Sequence, residues 1–281
     1  MGKIISICNQ KGGTGKTTTT VNLAAALAEL GARVAIVDLD PQGNATSGVG
    51  VNKSELEYSV YDLLLNRAEI KDVLIKSVVK GVDIIPCNIS LTGAEIELVG
   101  ALSRESRLKK ALEMIRQEYH FIFIDSPPSL GLLTLNSLVA SGSIIIPIQC
   151  EFYALEGVSQ LLNTLNLVKE SLNTGLVVEG VLMTMADYRT NLTSEVISEI
   201  TKYFKDKVFK AVIPRNIKLS EAPSFGKPIN LYDPCSIGAK KYKELAEELL
   251  VRNPNVLDIN KKGNDNFENV QKENIVQSDK I

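Results

Sequence analysis

The apolar run Ile4-Ile5-Ser6-Ile7-Cys8 opens within two residues onto Gln10-Lys11-Gly12-Gly13-Thr14-Gly15-Lys16-Thr17-Thr18, and a stretch of helical character follows at once. Few folds accept a glycine-rich loop in that setting. The glycines let the backbone turn tightly with its N–H groups facing a phosphate, and the start of the following helix adds positive potential. Lys16 is spaced to counter β and γ phosphates, and Thr17 to offer its hydroxyl to magnesium. A strand, an anion-binding loop and a helix in that order predict an α/β sheet that binds its ligand at the carboxyl ends of its strands.

The rest of the chain reads the same way. Apolar, β-branched runs at 3–8, 33–38, 82–86, 121–125, 143–147, 177–183 and 208–213 read as strands. They alternate with helical stretches at 16–30, 60–65, 91–98, 105–118, 132–140, 155–171, 192–204 and 237–250. Strands that are apolar throughout are buried on both faces, which predicts a doubly wound, mostly parallel sheet over residues 1–253. After Asn253-Pro254-Asn255 the chain turns polar, and residues 254–281 read as a flexible tail too sparse in apolar residues for a membrane-surface helix. No apolar run approaches the roughly 18 residues of a membrane span, and no secretory leader is evident, so a cytoplasmic protein is expected.

Cys8, Cys87, Cys150 and Cys235 are far apart with no Cys-x-x-Cys pair, which points away from a zinc ribbon or a disulfide framework. The single histidine, His120, excludes chemistry that needs a histidine cluster, and its place before an apolar strand reads as a solvent-edge position. Net charge is −2, yet residues 186–243 hold 11 Lys and Arg against 6 Asp and Glu, so any nucleic-acid surface must be local.

Two further segments converge on the phosphate loop. Val34-Ala35-Ile36-Val37 ends in Asp38-Leu39-Asp40-Pro41-Gln42-Gly43-Asn44, and Phe121-Ile122-Phe123-Ile124 ends in Asp125, the Walker B arrangement, followed by Ser126-Pro127-Pro128-Ser129. An acid at such a strand end can hold magnesium directly or through water. Gly13-x-Gly15 with Asp38 downstream also approaches a dinucleotide fingerprint, but the third glycine is missing, and Lys16-Thr17 suits a magnesium nucleoside triphosphate. Gln10 stands where the general P-loop pattern has glycine; the match is to the variant Lys-Gly-Gly-x-Gly-Lys-Thr, with Lys11 as an extra lysine, a deviant Walker A motif in a P-loop NTPase fold.

These segments, with Gln149-Cys150-Glu151 through Gly157, Ile213-Pro214-Arg215-Asn216 and Leu219-Ser220-Glu221-Ala222-Pro223, resemble the ParA family of partition ATPases, most closely its chromosomal Soj type. The resemblance runs from about residue 3 to 250 and omits the tail. It implies a slow, activator-stimulated ATPase that uses ATP and Mg2+ and forms an ATP-dependent homodimer. It further implies non-specific double-stranded DNA and a ParB-like centromere-binding protein as partners, no membrane, and residence on the nucleoid.

Carried over position by position, the resemblance assigns nucleotide binding to Lys11, Gly12, Gly13, Thr14, Gly15, Lys16, Thr17 and Thr18. It puts Lys11 on the partner's phosphates and gives Lys16 and Asp40 catalytic roles, Asp40 by orienting water. Thr17, and Asp125 through water, fall to the metal, Pro214 and Asn216 to the adenine pocket. Arg189 and Lys218 would bind DNA, with Lys218 in place of the usual arginine, and Arg215, Lys202 and Lys227 are further basic candidates. Rival readings within the superfamily are a MinD-like membrane ATPase, which needs a C-terminal amphipathic helix, and an iron-sulfur reductase, for which Cys87 and Cys150 are poorly placed. A DNA-bound regulator of replication that uses ATP only for assembly is the rival from another class.

Overall fold

The computed structural model describes residues 1–151 and 154–257. Seven strands, β1 (Lys3–Ile7), β2 (Val34–Asp38), β3 (Ile75–Val79), β4 (Val82–Ile85), β5 (Phe121–Asp125), β6 (Ser143–Gln149) and β7 (Val177–Thr184), form one sheet in the order β3-β4-β2-β5-β1-β6-β7. All neighbours are parallel except the β3–β4 hairpin. The helices are α1 (Lys16–Glu29), α2 (Asn44–Gly48), α3 (Val60–Leu64), α4 (Ile70–Val73), α5 (Leu91–Glu97), α6 (Arg107–Glu113), α7 (Leu132–Ala140), α8 (Ala154–Ser171), α9 (Asn191–Phe204), α10 (Ile217–Glu221), α11 (Ile229–Tyr232) and α12 (Ile237–Arg252), with short 3-10 turns between.

Alternation along each strand sorts the core. Val34, Ile36, Phe121 and Phe123 face one way, into a core built with Leu23 and Leu27 of α1 and Tyr242, Leu245 and Leu249 of α12. Ala35, Val37, Ile122 and Ile124 face the other way, onto α3, α5, α6 and α7. Beside them, Ile144, Ile146 and Ile148 of β6 pack on α8 and α9. Each Val, Leu, Ile or Phe among them stabilises the fold by roughly 1.5–3 kcal/mol through removal from water. Tyr242, fully buried, brings its hydroxyl to 3.3 Å from Thr19 Oγ1 and so ties α12 to α1.

Parity also decides where the acids go. Asp125 continues the 121, 123 series and Asp38 the 34, 36 series, so both carboxylates leave the sheet on the α1 side, paired in register.

Besides the short helices α2, α4, α10 and α11, which it did not call, four features depart from the sequence reading. Residues 208–213 form no strand: Val208 bridges Val181, and the Phe209 and Ile213 N–H groups bond the Val181 and Met183 carbonyls of β7, but the Ala211 N–H between them goes to the Glu248 carboxylate. Strand β3 was not anticipated; it is an edge strand with Lys76 and Ser77 exposed, and Ser77 sits at φ 57° with its N–H bonded to Asp83 Oδ1. The stretch 105–118 is helical only over Arg107–Glu113, with 3-10 turns on either side. His120 is buried rather than at the solvent edge: its Nδ1 accepts the Arg33 N–H at 2.7 Å, tying the starts of β2 and β5 together.

Helix α12 ends at Arg252, and Val256 beyond it is buried in the α1-side core. The reading of a flexible tail, and with it the question of a C-terminal amphipathic helix, falls mainly on residues 258–281, outside the described residues. Among the described residues no helix is long and apolar enough to cross a membrane.

Candidate nucleotide site

The loop between β1 and α1 is held open by left-handed backbone at Gly13 (φ 71°) and Gly15 (φ 88°), conformations costly for residues with a Cβ. A Cβ placed on Gly12 or Gly13 would meet nothing within 4 Å, so the loop borders open space at both positions. Its frame is fixed by side chains: the Lys11 N–H bonds Asn9 Oδ1 at 3.0 Å, and Thr184 at the end of β7 donates to the Thr14 carbonyl at 2.8 Å. Lys16 is buried and its ammonium curls onto the Lys11 carbonyl at 3.1 Å. Burial lowers its pKa, while Asp125 pulls the other way.

Asp125 meets the first turn of α1, as strand parity requires. Its Oδ2 accepts from Thr17 at 2.7 Å and its Oδ1 from Thr20 at 3.2 Å. Asp38 is held by the Thr46 N–H and hydroxyl, both at 2.7 Å, and by the Asp40 N–H at 3.3 Å. Burial first, then repulsion from Asp38, pushes the Asp125 carboxyl up to about 8; burial raises Asp38 to about 6. Lys16 offsets the two enclosed carboxylates only in part, and a divalent ion would complete the compensation.

The donors at this corner are oxygens, as magnesium prefers, and among the described residues no group of three or more His, Cys, Asp or Glu could cage a metal alone. The residues therefore fit a magnesium ion that brings phosphate and water oxygens with it. Asp40 lies in the next turn, where its Oδ1 accepts the Gln42 N–H at 3.0 Å and Gly43 at φ 61° turns the chain into α2. A Cβ at Gly43 would come within 2.9 Å of the Cys87 carbonyl.

Beside the loop lies a cavity of about 450 Å3 lined by Gly15, Thr18, Thr184, Pro214, Asn216 and Tyr242, so Pro214 and Asn216 do reach the phosphate loop from 200 residues away. Asn216 uses its Oδ1 to cap α10 through the Lys218 N–H at 2.8 Å, which leaves its amide hydrogens to present to a ligand.

Lys11, with 42% of its side chain exposed, ends on Glu151 at 2.8 Å. Arg189 is 87% exposed and pairs with Asp187 through two contacts of 2.8 and 2.6 Å; Lys218 pairs with Glu221 at 2.9 Å. Neither basic residue lines the cavity beside the loop. His120 is at the amino end of β5 and Asp125 at its carboxyl end, roughly 16 Å apart at 3.3 Å per residue. The site thus has no imidazole base. Cys87 and Cys150 are buried free thiols, Cys150 pushed up to about 11 by burial, neither disposed as a cluster ligand.

Sequence reasoning missed Thr20 and Thr46, which hold the acids, and Thr184, which holds the phosphate loop. Thr20 was legible as the i+3 neighbour of Thr17 on one helix face; Thr46 and Thr184 had no spacing signal.

Residues 2–178 match the family described as "AAA domain". The sporulation initiation inhibitor protein Soj of Bacillus subtilis (strain 168) is 62% identical over 249 residues, which cover 89% of this chain and 98% of that protein. The chromosome partitioning protein ParA of Myxococcus xanthus (strain DK1622) is 51% identical over 252 residues, 90% of this chain and 89% of that one. Among solved structures, cobyrinic acid a,c-diamide synthase from Mycobacterium smegmatis with bound ADP and magnesium superposes with a TM-score of 0.78 at 38% identity, covering 89% of this chain and 94% of that one. Differently named proteins thus share this fold, while identity across most of the chain points one way within it. The chain belongs to the ParA family of chromosome-partitioning ATPases, in its Soj-like group, and works with ATP and magnesium.

Proposed function

We propose that ATP closes two copies of this chain face to face over their nucleotides, that the dimer binds double-stranded DNA without sequence preference, and that a ParB-like partner stimulates hydrolysis and release. The observation that carries this reading is the split between the two loop lysines. Lys16 is buried and folded onto its own loop, fit to serve the β and γ phosphates held there; Lys11 projects outward, fit to serve phosphates held by a second copy. A cation supplied in trans stabilises charge that develops at the γ-phosphate, as an arginine finger does.

In this reading Gly12, Gly13, Thr14, Gly15 and Thr18 cradle phosphate with backbone N–H groups, and Pro214 and Asn216 flank the adenine. Thr17, and Asp125 through water, hold magnesium, which when bound screens the phosphate charge. Asp40, its Oδ1 steadied by the Gln42 N–H, orients the attacking water. With no imidazole at the site, catalysis rests on positioning and electrostatics, which supports a slow basal rate that an activator can raise.

Arg189 and Lys218 are each neutralised by a neighbouring acid, so DNA phosphate must displace Asp187 and Glu221. Two such contacts per subunit give four per dimer, and log affinity should then fall with log salt with a slope of about −4. Residence on the nucleoid follows from the same contacts. The test is binding to random-sequence duplex at low salt with ATP or ADP. Salt-sensitive binding with ATP alone is expected; equal binding in both states, or none in either with ATP still bound, overturns the reading.

A further inference from the structure

We propose that Glu151 is a positioning residue that stores Lys11 off the nucleotide path until a second copy arrives, so that it sets the threshold for ATP-driven pairing; this rests on the reading of Lys11 as a lysine used in trans. The backbone at both ends of the contact is fixed. The Lys11 N–H is bonded to Asn9, and its carbonyl accepts from Lys16 and, at 3.4 Å, from Thr14. Just beyond β6, the Cys150 N–H bonds the Thr184 carbonyl and the Glu151 N–H the Gln149 carbonyl at 2.8 Å. Only the two side chains are free to swing, and they meet at 2.8 Å.

Glu151 also has somewhere to go when Lys11 leaves. Its Oε1 accepts from the Gln149 side chain and lies 3.8 Å from Arg215 Nη2. Releasing Lys11 therefore does not strand a carboxylate. The strength of the contact suits a latch rather than a lock: with both side chains 42% exposed, an ion pair of this kind biases an equilibrium by about 1.4- to 5-fold. Two latches open per dimer, so removing them should lower the protein concentration needed for pairing by roughly 2- to 30-fold.

The experiment is sedimentation of the full chain across a protein concentration series, with magnesium and a non-hydrolysable ATP analogue, for wild type, Glu151→Gln, Lys11→Gln and the double variant. Glutamine keeps the size of Glu151 and removes its charge. Glu151→Gln should pair at the lower concentration given above, and its advantage should close as salt rises toward 1 M. In the Lys11→Gln background the Glu151 change should be silent. If Glu151→Gln pairs no more readily than wild type while Lys11→Gln fails to pair, the latch is overturned and the trans lysine stands. If Lys11→Gln pairs like wild type, both fall.

Discussion

Replacing Asp125 by asparagine should stabilise the nucleotide-free protein while abolishing its use of magnesium. Asparagine fits the contacts: its oxygen can face Thr17, and its amide can donate to Thr20 Oγ1, whose own hydrogen then goes to the Lys16 carbonyl at 3.1 Å. What disappears is a charge in an enclosed place. The Asp125 carboxyl stands at about 8 in the folded chain against an ordinary 3.8.

A carboxyl raised on folding favours the folded state fully below its unfolded value and loses that contribution as pH climbs through the folded one, here between about 4 and 8. At 1.36 kcal/mol per unit the whole interval is worth on the order of 5 kcal/mol. Repulsion with Asp38 is shared by both groups, so removing one charge recovers about 2–5 kcal/mol, or about 4–10 °C in melting temperature for a chain of this length. The assay is thermal unfolding by circular dichroism in EDTA without nucleotide. At pH 8 Asp125→Asn should melt higher than wild type, and near pH 4.5 the two should nearly coincide. Equal melting at pH 8, or a gap that does not change between pH 5 and 8, would refute the electrostatic account.

Asp40→Ala should keep binding of an ATP analogue within about threefold yet lower turnover by 100-fold or more, since in the proposed mechanism it removes the carboxylate that orients water and none of the phosphate cradle; turnover near wild type would remove Asp40 from the mechanism. Gly180→Ala should destabilise the fold, because its Cβ would lie 2.3 Å from the Phe209 ring, which is buried and capped by the Arg252 guanidinium at 4.2 Å. Overpacking of this kind costs about 1–3 kcal/mol, a loss of roughly 2–6 °C in melting temperature; an unchanged midpoint would mean that the ring swings aside freely.

The phosphate loop and the acids at 38 and 125 were legible because each sits at the carboxyl end of a continuous apolar run, and parity then carried both carboxylates to α1. What stayed hidden was settled by partners remote in sequence. The run 208–213 has strand composition, but Glu248 takes two of its N–H groups. Strand β3 lacks an apolar run, although Lys80-Gly81, with Gly81 at φ 81° between Val79 and Val82, is a hairpin turn that could have revealed it. The burial of His120 follows from an Arg33 N–H that needed an acceptor, and no pattern around position 120 records that. For the site, the resemblance supplied Pro214 and Asn216, which local chemistry could not connect to a loop 200 residues earlier; the pairing of Lys11 with Glu151 required the folded chain.

The shared parity of β2 and β5 restricts how this chain can change. One residue inserted upstream within either strand would turn Asp38 or Asp125 from the α1 side to the opposite face, toward the helices that carry no phosphate loop. Two inserted residues would restore the direction and lengthen the strand by about 7 Å. Lengths upstream of the two acids are therefore tolerated in even steps only, so relatives that differ in these strands should differ by pairs of residues, with odd changes confined to the connecting loops.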